Sequence, residues 1–223
     1  MQACMQDIFG VVESKTEVAA ERAYVTTKNG IISGALPGGS LLSEVAVSAD
    51  LGLSRTPVHE AFLRLAAEQL LDLQPRRGAV VRPMTPSEAA DVLAMRHAIE
   101  AASAAQLFGK GGPDDGVRVA IDENLARQRA FVADEDVDGF VDVDDEFHLL
   151  VVRASGNPIA EHFYEQLRAR QHRLRNLLLR IDPANLRSSL ADHEELAACL
   201  RDGDADRYSA LLQAHFDLYQ GAL

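Results

Sequence analysis

Leu51-Gly52-Leu53-Ser54-Arg55-Thr56-Pro57-Val58-His59-Glu60-Ala61-Phe62-Leu63-Arg64-Leu65 is the stretch on which the fold turns. Gly52 interrupts one helical pattern and Ser54 can N-cap the next. Pro57 falls in the first turn of that new helix, where a missing N–H costs little. Val58, Phe62, Leu65 and Ala66 recur at helical spacing and would seat the helix on a core. Ser43 can cap a preceding helix that runs through Asp50. Two helices joined by a short turn containing Gly make a helix-turn-helix. The second helix of that motif enters the DNA major groove by its N-terminal end. Arg55 can then reach a guanine edge or a phosphate, and Ser54 and Thr56 can bond phosphate through their hydroxyls. His59 lies one turn on from Arg55.

Outward from this pair, residues 1–16 carry no periodic pattern and read as a flexible arm. A first helix is expected over Glu17–Ser33, stopped by Gly34. Leu36-Pro37-Gly38-Gly39 is a turn, and Leu42-Ser43 is expected to open the second helix. On the other side the third helix runs to about Gln69. The extended pieces Leu71–Gln74 and Ala79–Arg82 flank Pro75-Arg76-Arg77-Gly78, a hairpin with a basic tip. Arg76 and Arg77 on that wing can touch an adjacent backbone or minor groove. Pro83 and Pro86 bracket the exit, so the winged helix-turn-helix is assigned to 17–83 and a second domain to 84–223. Thr85-Pro86-Ser87-Glu88 is a capping box with Pro at the first helical position. Breaks at Gly109–Gly112, Asp134–Asp138, Gly156-Asn157-Pro158, Asp182-Pro183 and Gly203-Asp204 then leave six helices, with Asn157 and Asp204 as N-caps. The expected fold is mainly α, an all-α antiparallel bundle behind a small β-hairpin wing.

Bulk properties fit this division. The 223 residues are 47% hydrophobic and lack Trp, ordinary for a globular protein. The net charge of −12 argues against a DNA partner until it is mapped. Residues 1–83 hold 8 basic and 9 acidic side chains, whereas 84–223 hold 14 and 25. The acidity belongs to the C-terminal part, and 54–82 carry five arginines against three acids. A locally basic, near-neutral domain can meet phosphates. No apolar run approaches a membrane span, and no secretory leader is visible. Cys4 and Cys199 are expected as free thiols, and the protein as cytoplasmic.

The run Gly34-Ala35-Leu36-Pro37-Gly38-Gly39-Ser40-Leu41-Leu42-Ser43-Glu44, the stretch Leu51–Leu65 and Arg77-Gly78-Ala79-Val80-Val81 together closely resemble the GntR family of bacterial regulators. The Ser-Arg-Thr-Pro-Val core is its specific part. The resemblance implies a homodimer that binds a short pseudo-palindromic operator in double-stranded DNA. The family usually has Arg where this chain has His59, a shorter and mostly neutral side chain. Base preference or affinity is therefore expected to differ from typical relatives.

In the C-terminal part, a helix over 137–155 at about 100° per residue puts Phe147, Leu150, Val151 and Ala154 on one stripe. Asp144 and His148, spaced i and i+4, flank that stripe and are themselves enclosed by Val141 and Val152. Asp142, Asp145 and Glu146 are expected to point to solvent. His193 is centred among Leu186, Leu190, Leu196, Ala197 and Leu200. His215 is centred among Tyr208, Leu211, Leu212, Leu218 and Tyr219. Each histidine alone is more readily a hydrogen-bonded core residue. Three together with an aspartate are the donor set of a divalent metal. His97, His162 and His172 have no such arrangement and read as surface or packing residues. Arg96 lies on the inner face of its helix with Glu100 at i+4. It is either an intrahelical ion pair or a fork aimed at an effector carboxylate.

Asp144-Asp145-Glu146-Phe147-His148, Ser155-Gly156-Asn157, Asp192-His193-Glu194, Gly203-Asp204 and His215 look like the FCD ligand-binding domain of the FadR subfamily of GntR regulators. That resemblance implies a metal held by Asp144, His148, His193 and His215. Zinc suits the set, and nickel and manganese are compatible. It also favours Arg96 as a contact to a small organic acid effector, with Asn157 as a further polar contact beside its cap role. The expectation is an effector-responsive transcription factor and not an enzyme. The alternative is a metal-dependent hydrolase with a fused DNA-binding-like module, against which no general base is evident beside the ligands. A third possibility is a bundle that only dimerises.

Overall fold

The computed structural model describes residues 15–75, 77–181 and 184–217. Its packing divides the chain into two units, one of Ala35–Pro83 with the segment up to Ile31, the other of Ile32–Gly34 with the chain from Met84 onward.

In the first unit, α1 (Lys15–Ile32), β1 (Leu41–Leu42), α2 (Glu44–Leu51), α3 (Arg55–Ala67), β2 (Leu71–Gln74) and β3 (Gly78–Val81) follow in order. Val58, Ala61, Phe62 and Leu65 of α3 are fully buried against Ala23, Ile31, Leu71 and Val81. Burial of each large apolar side chain contributes about 1.5–3 kcal/mol, so this stripe fixes the rotation of α3 and leaves its other face exposed. Gly52 caps α2 in the left-handed region, φ 63°, and its N–H reaches the Ser48 and Ala49 carbonyls. Ser43 and Ser54 occupy N-cap positions with extended backbone, yet neither hydroxyl bonds its helix.

One expectation is corrected here. Ser43 stands at the N-cap of α2 as expected, but Leu42 does not belong to that helix. Leu41–Leu42 is a strand, paired antiparallel with β3 through Leu41↔Val80 and Leu42↔Ala79. The three strands run in the order β1-β3-β2. Two residues are too short to show a period, and Leu42 is buried in either reading. Gly78 holds the wing to this edge. Its φ is +103°, and a Cβ there would lie 2.0 Å from the Leu42 carbonyl oxygen.

The second unit has six described helices: α4 (Pro86–Gly109), α5 (Asp115–Ala133), α6 (Val137–Ala154), α7 (Pro158–Ile181), α8 (Ala184–Asp202) and α9 (Ala205–Asp217). Thr85 Oγ1 accepts from Glu88 N at 3.1 Å with Pro86 at the first position of α4. Asp114, Asp136, Asn157 and Asp204 each accept a helix N–H at 2.9–3.1 Å. Gly203, φ 75°, ends α8. The shared core joins Leu93, Leu107, Leu125, Phe147, Val151, Leu174, Leu178, Leu196, Leu200 and Leu212. α6 packs against α4, α5, α7 and α8, so side chains on α6 can meet groups from four neighbours. No described helix is long and apolar enough to cross a membrane. Cys199 is a buried free thiol, and Cys4 lies outside the described residues.

Candidate DNA-reading face and candidate metal centre

Ser54, Arg55 and Thr56 are exposed at the N-terminus of α3, and the side chains of Arg55 and His59 are 71% and 53% accessible. Arg55, Thr56 and His59 line an open cleft of about 690 Å³ with Gln74, Arg77 and Gly78 of the wing. Arg76 lies outside the described residues. Sequence reasoning missed Glu44. Its Oε1 sits 2.8 Å from His59 Nδ1 and its Oε2 3.6 Å from Arg55 Nη2. A carboxylate at the head of α2 thus orients the two groups on α3. Its signal in the sequence was only an acidic residue in a helix first turn, which the helix dipole explains equally well.

The helical unit brings His148, His193 and His215 together. All three are buried, and one nitrogen from each lies within 4.8 Å of the others. Each ring is held from behind through Nδ1. His148 Nδ1 is 2.6 Å from Glu100 Oε2, His193 Nδ1 2.8 Å from Gln128 Oε1, and His215 Nδ1 2.9 Å from Asp192 Oδ2. For His193 the tautomer follows from a relay on α5. Asn124 Nδ2 donates to the Val143 carbonyl and Gln128 Nε2 donates to Asn124 Oδ1, which leaves Gln128 Oε1 to accept. Arg96 Nε donates to Glu100 Oε1 at 2.7 Å, keeping Oε2 an acceptor for His148. Outer partners that take the Nδ1 proton in this way are the usual supports of metal-binding imidazoles.

The consequence lies on the inner side. His148 Nε2 and His193 Nε2 approach to 3.1 Å. With both Nδ1 atoms protonated, two lone pairs face each other at that distance, and a cation beside them removes the conflict. Burial, the largest influence on both rings, holds their pKa values well below the ordinary histidine value, so protons are a poor substitute for that cation. Asp144 is fully buried, with Oδ1 3.5 Å from His193 Nε2 and Oδ2 accepting no hydrogen bond. Burial raises its pKa, but Arg175, His193 and Arg96 together hold it far below the ordinary value. A donor set of neutral imidazoles and one ionised carboxylate fits a divalent ion.

Two arginines reach the same carboxylate. Arg175 Nη2 on α7 donates to Asp144 Oδ1, and Arg96 Nη2 stands 3.7 Å from Oδ2. Arg175 also donates to Ser189 Oγ on α8 at 3.1 Å. The intrahelical pairing of Arg96 with Glu100 is present, and Arg96 Nη2 still has no hydrogen-bond partner. Both ends of the Asn157 amide are engaged, as the cap of α7 and as donor to Gln106 at 3.3 Å. His97 packs edge-on to Phe216, and His162 is exposed.

Asp145 requires a correction. Expected in solvent, it is buried, accepting from Tyr164 Oη at 3.2 Å and Arg168 Nε at 2.7 Å, with His172 Nε2 at 3.1 Å. The cause is α7, which covers a second face of α6 that a single-helix wheel leaves open. Asp145 is therefore a packed ion-pair residue, and Glu146 is bound by Arg127 at 2.6 Å.

Residues 91–218 match the FCD domain, and residues 19–81 match the bacterial regulatory proteins of the gntR family. The HTH-type transcriptional repressor RspR of Escherichia coli is 28% identical over 193 residues, 85% of this chain and 83% of that protein. The gluconate operon transcriptional repressor of Bacillus licheniformis is 28% identical over 198 residues, 86% and 79% of the two chains. The fold is that of Escherichia coli McbR/YncC, with TM-score 0.72, 24% identity and coverage of 90% and 94%. A GntR regulator from Rhodococcus gives TM-score 0.74 at 22% identity, covering 91% of this chain and 96% of that one. The named relatives are regulators and not enzymes, which leaves the hydrolase alternative without support. An N-terminal helix-turn-helix that can read DNA and a helical domain behind it are thus parts of one known design, and the chain belongs to the GntR family of bacterial transcriptional regulators, with an FCD domain at its C-terminus.

Proposed function

We propose that the protein is a cytoplasmic, homodimeric regulator of the FadR subfamily whose hold on operator DNA is set by a small organic acid bound at a metal in the FCD domain. The carrying observation is the convergence of three buried imidazoles whose Nδ1 atoms are all engaged from behind. His148, His193, His215 and Asp144 would hold the ion. Zinc suits the donors, with nickel and manganese as alternatives. When bound, the ion would supply a Lewis-acid site for one oxygen of a carboxylate, and Arg96 a second anchor through Nη2, which makes no hydrogen bond of its own. The name of the Bacillus licheniformis relative, a gluconate operon repressor, supports a response to an acid metabolite.

On the DNA side, Arg55 and His59 are assigned to base edges and Ser54, Thr56, Arg76 and Arg77 to phosphates. Effector control requires two states of the dimer with different affinities for the acid. The test is fluorescence anisotropy on the DNA upstream of the protein's own gene, across a salt series, with the protein stripped by chelator or reloaded with zinc. Salt-dependent binding that shifts on adding organic acids to the zinc form is expected. Binding that ignores both zinc and acids would leave the FCD domain as a dimerisation platform alone.

A further inference from the structure

Asp144 is claimed by two kinds of cation. Its Oδ1 takes a hydrogen bond from Arg175 and also lies 3.5 Å from His193 Nε2, on the side where the imidazoles converge. One carboxylate oxygen cannot serve a guanidinium and a divalent ion with full strength at once. Arg175 has somewhere else to turn, since Ser189 Oγ already takes one of its protons at 3.1 Å.

The charge of the cluster points the same way. Buried charges persist only when paired. Without a metal, the guanidiniums of Arg96 and Arg175 balance the carboxylates of Glu100 and Asp144, all four nearly sealed from solvent. Arg168, also on α7, is bound to Asp145 and takes no part. A divalent ion adds two positive charges beside these two pairs. Asp192 behind His215 offsets part of that excess but is itself one-third accessible. A dianion restores the balance and a monoanion does not. A polar group is also waiting on the same helix. Gln171 lies one turn before Arg175 on α7, is 2% exposed, and has no partner for either amide atom. Residues four apart share a helix face.

We infer that Arg175 and the divalent ion compete for Asp144, and that metal loading hands Arg175 over to the effector, so that the loaded site selects a small dicarboxylate. One acid group meets the metal and Arg96, the other meets Arg175 beside Gln171. Metal and acid then bind cooperatively, because each removes a cost that the other imposes. This rests on the metal-and-acid reading given above and adds to it a residue, a ligand class and a direction of coupling.

The test uses chelator-stripped full-length protein. Zinc affinity is measured by competition with a chromophoric chelator, and thermal shifts are read with acetate and with succinate at equal concentration. Arg175→Met is expected to bind zinc about tenfold more tightly than wild type, an effect of the size that outer groups of metal sites have but of opposite sign, because Arg175 opposes the ion. Succinate is expected to raise the melting temperature of zinc-loaded wild type more than acetate does, to do little without zinc, and to lose its advantage in Arg175→Met. If that variant does not fold, Ser189→Ala serves, since it removes one bond that positions the guanidinium. It should weaken zinc binding by severalfold, because the guanidinium loses the partner it turns to when it leaves Asp144, and also weaken the succinate shift. Equal zinc affinity in wild type and variant, or equal shifts from acetate and succinate, overturns the inference while leaving a metal-dependent acid sensor standing. No zinc binding in either protein overturns the metal reading and this inference together.

Discussion

Gln128 illustrates how a residue with no chemistry of its own can govern a site. Its Oε1 takes the Nδ1 proton of His193, and Asn124 and the Val143 carbonyl fix which way its amide points. Gln128→Leu keeps the side chain's bulk but removes the acceptor, so His193 loses its tautomer and orientation. Zinc affinity should fall by about 10–100-fold, read by chelator competition, with the circular dichroism spectrum unchanged. On the DNA side, Arg55→Ala should weaken operator binding by about 1–3 kcal/mol, read by anisotropy, whereas Arg77→Ala should lower the salt slope by about one. His148, His193 and His215 were legible because each sits mid-stripe among apolar residues, where a polar group needs a partner. Gln128 and Asn124 share the buried face of α5 with Ile121 and Leu125, and Arg175 is buried on α7; their roles were not legible, because an amide or a guanidinium is no metal ligand and its place behind the imidazoles depends on contacts between helices. Asp145 was misread for the same reason. Tyr164, Arg168 and His172, which bury it, come from a helix that periodicity within α6 cannot see.

Local chemistry made most elements readable. The Thr85 box, the caps at Asn157 and Asp204 and the stop at Gly203 each follow from a side chain bonding its own backbone neighbours. β1 escaped because its existence depends on β3, nearly forty residues later, and on nothing in Leu41–Leu42 alone. Gly78 is where that long-range pairing is most exposed to mutation. Gly78→Ala puts a methyl 2.0 Å from the Leu42 carbonyl oxygen at a φ of +103°. The backbone there must move, since neither partner is the end of a flexible side chain. Strain of about 1–3 kcal/mol is expected, seen as a lower urea midpoint for the DNA-binding unit. Because Gly78 also lines the cleft that holds Arg55 and His59, operator affinity should drop more than that of a comparably destabilised variant in the helical unit.

Across the whole molecule, surface and interior make different demands on pH. The net charge of −12 sits mainly on exposed acids of the FCD domain, whereas the interior holds His148 and His193 neutral by burial. In the unfolded chain each imidazole takes up a proton near pH 6.5. In the fold both resist protonation to well below that. Below pH 6.5 the unfolded state therefore binds more protons, and stability falls with pH by up to about 1.4 kcal/mol per unit for each histidine. Glu100 works in the opposite direction. Burial pushes its carboxyl up against the pull of Arg96, so the fold takes its proton before the unfolded chain does and recovers part of the loss. Asp144, held far below the ordinary carboxylate value, keeps its charge throughout this range. Urea unfolding of metal-free protein at pH 7.5, 6.5 and 5.5 should show stability flat across the upper interval and falling across the lower one. Zinc should steepen the lower interval, because protons then compete with the ion for the same nitrogens. A profile flat to pH 5.5 would mean that the imidazoles take up protons as readily in the fold as in the unfolded chain, and with it the case for a cation at their centre would fall.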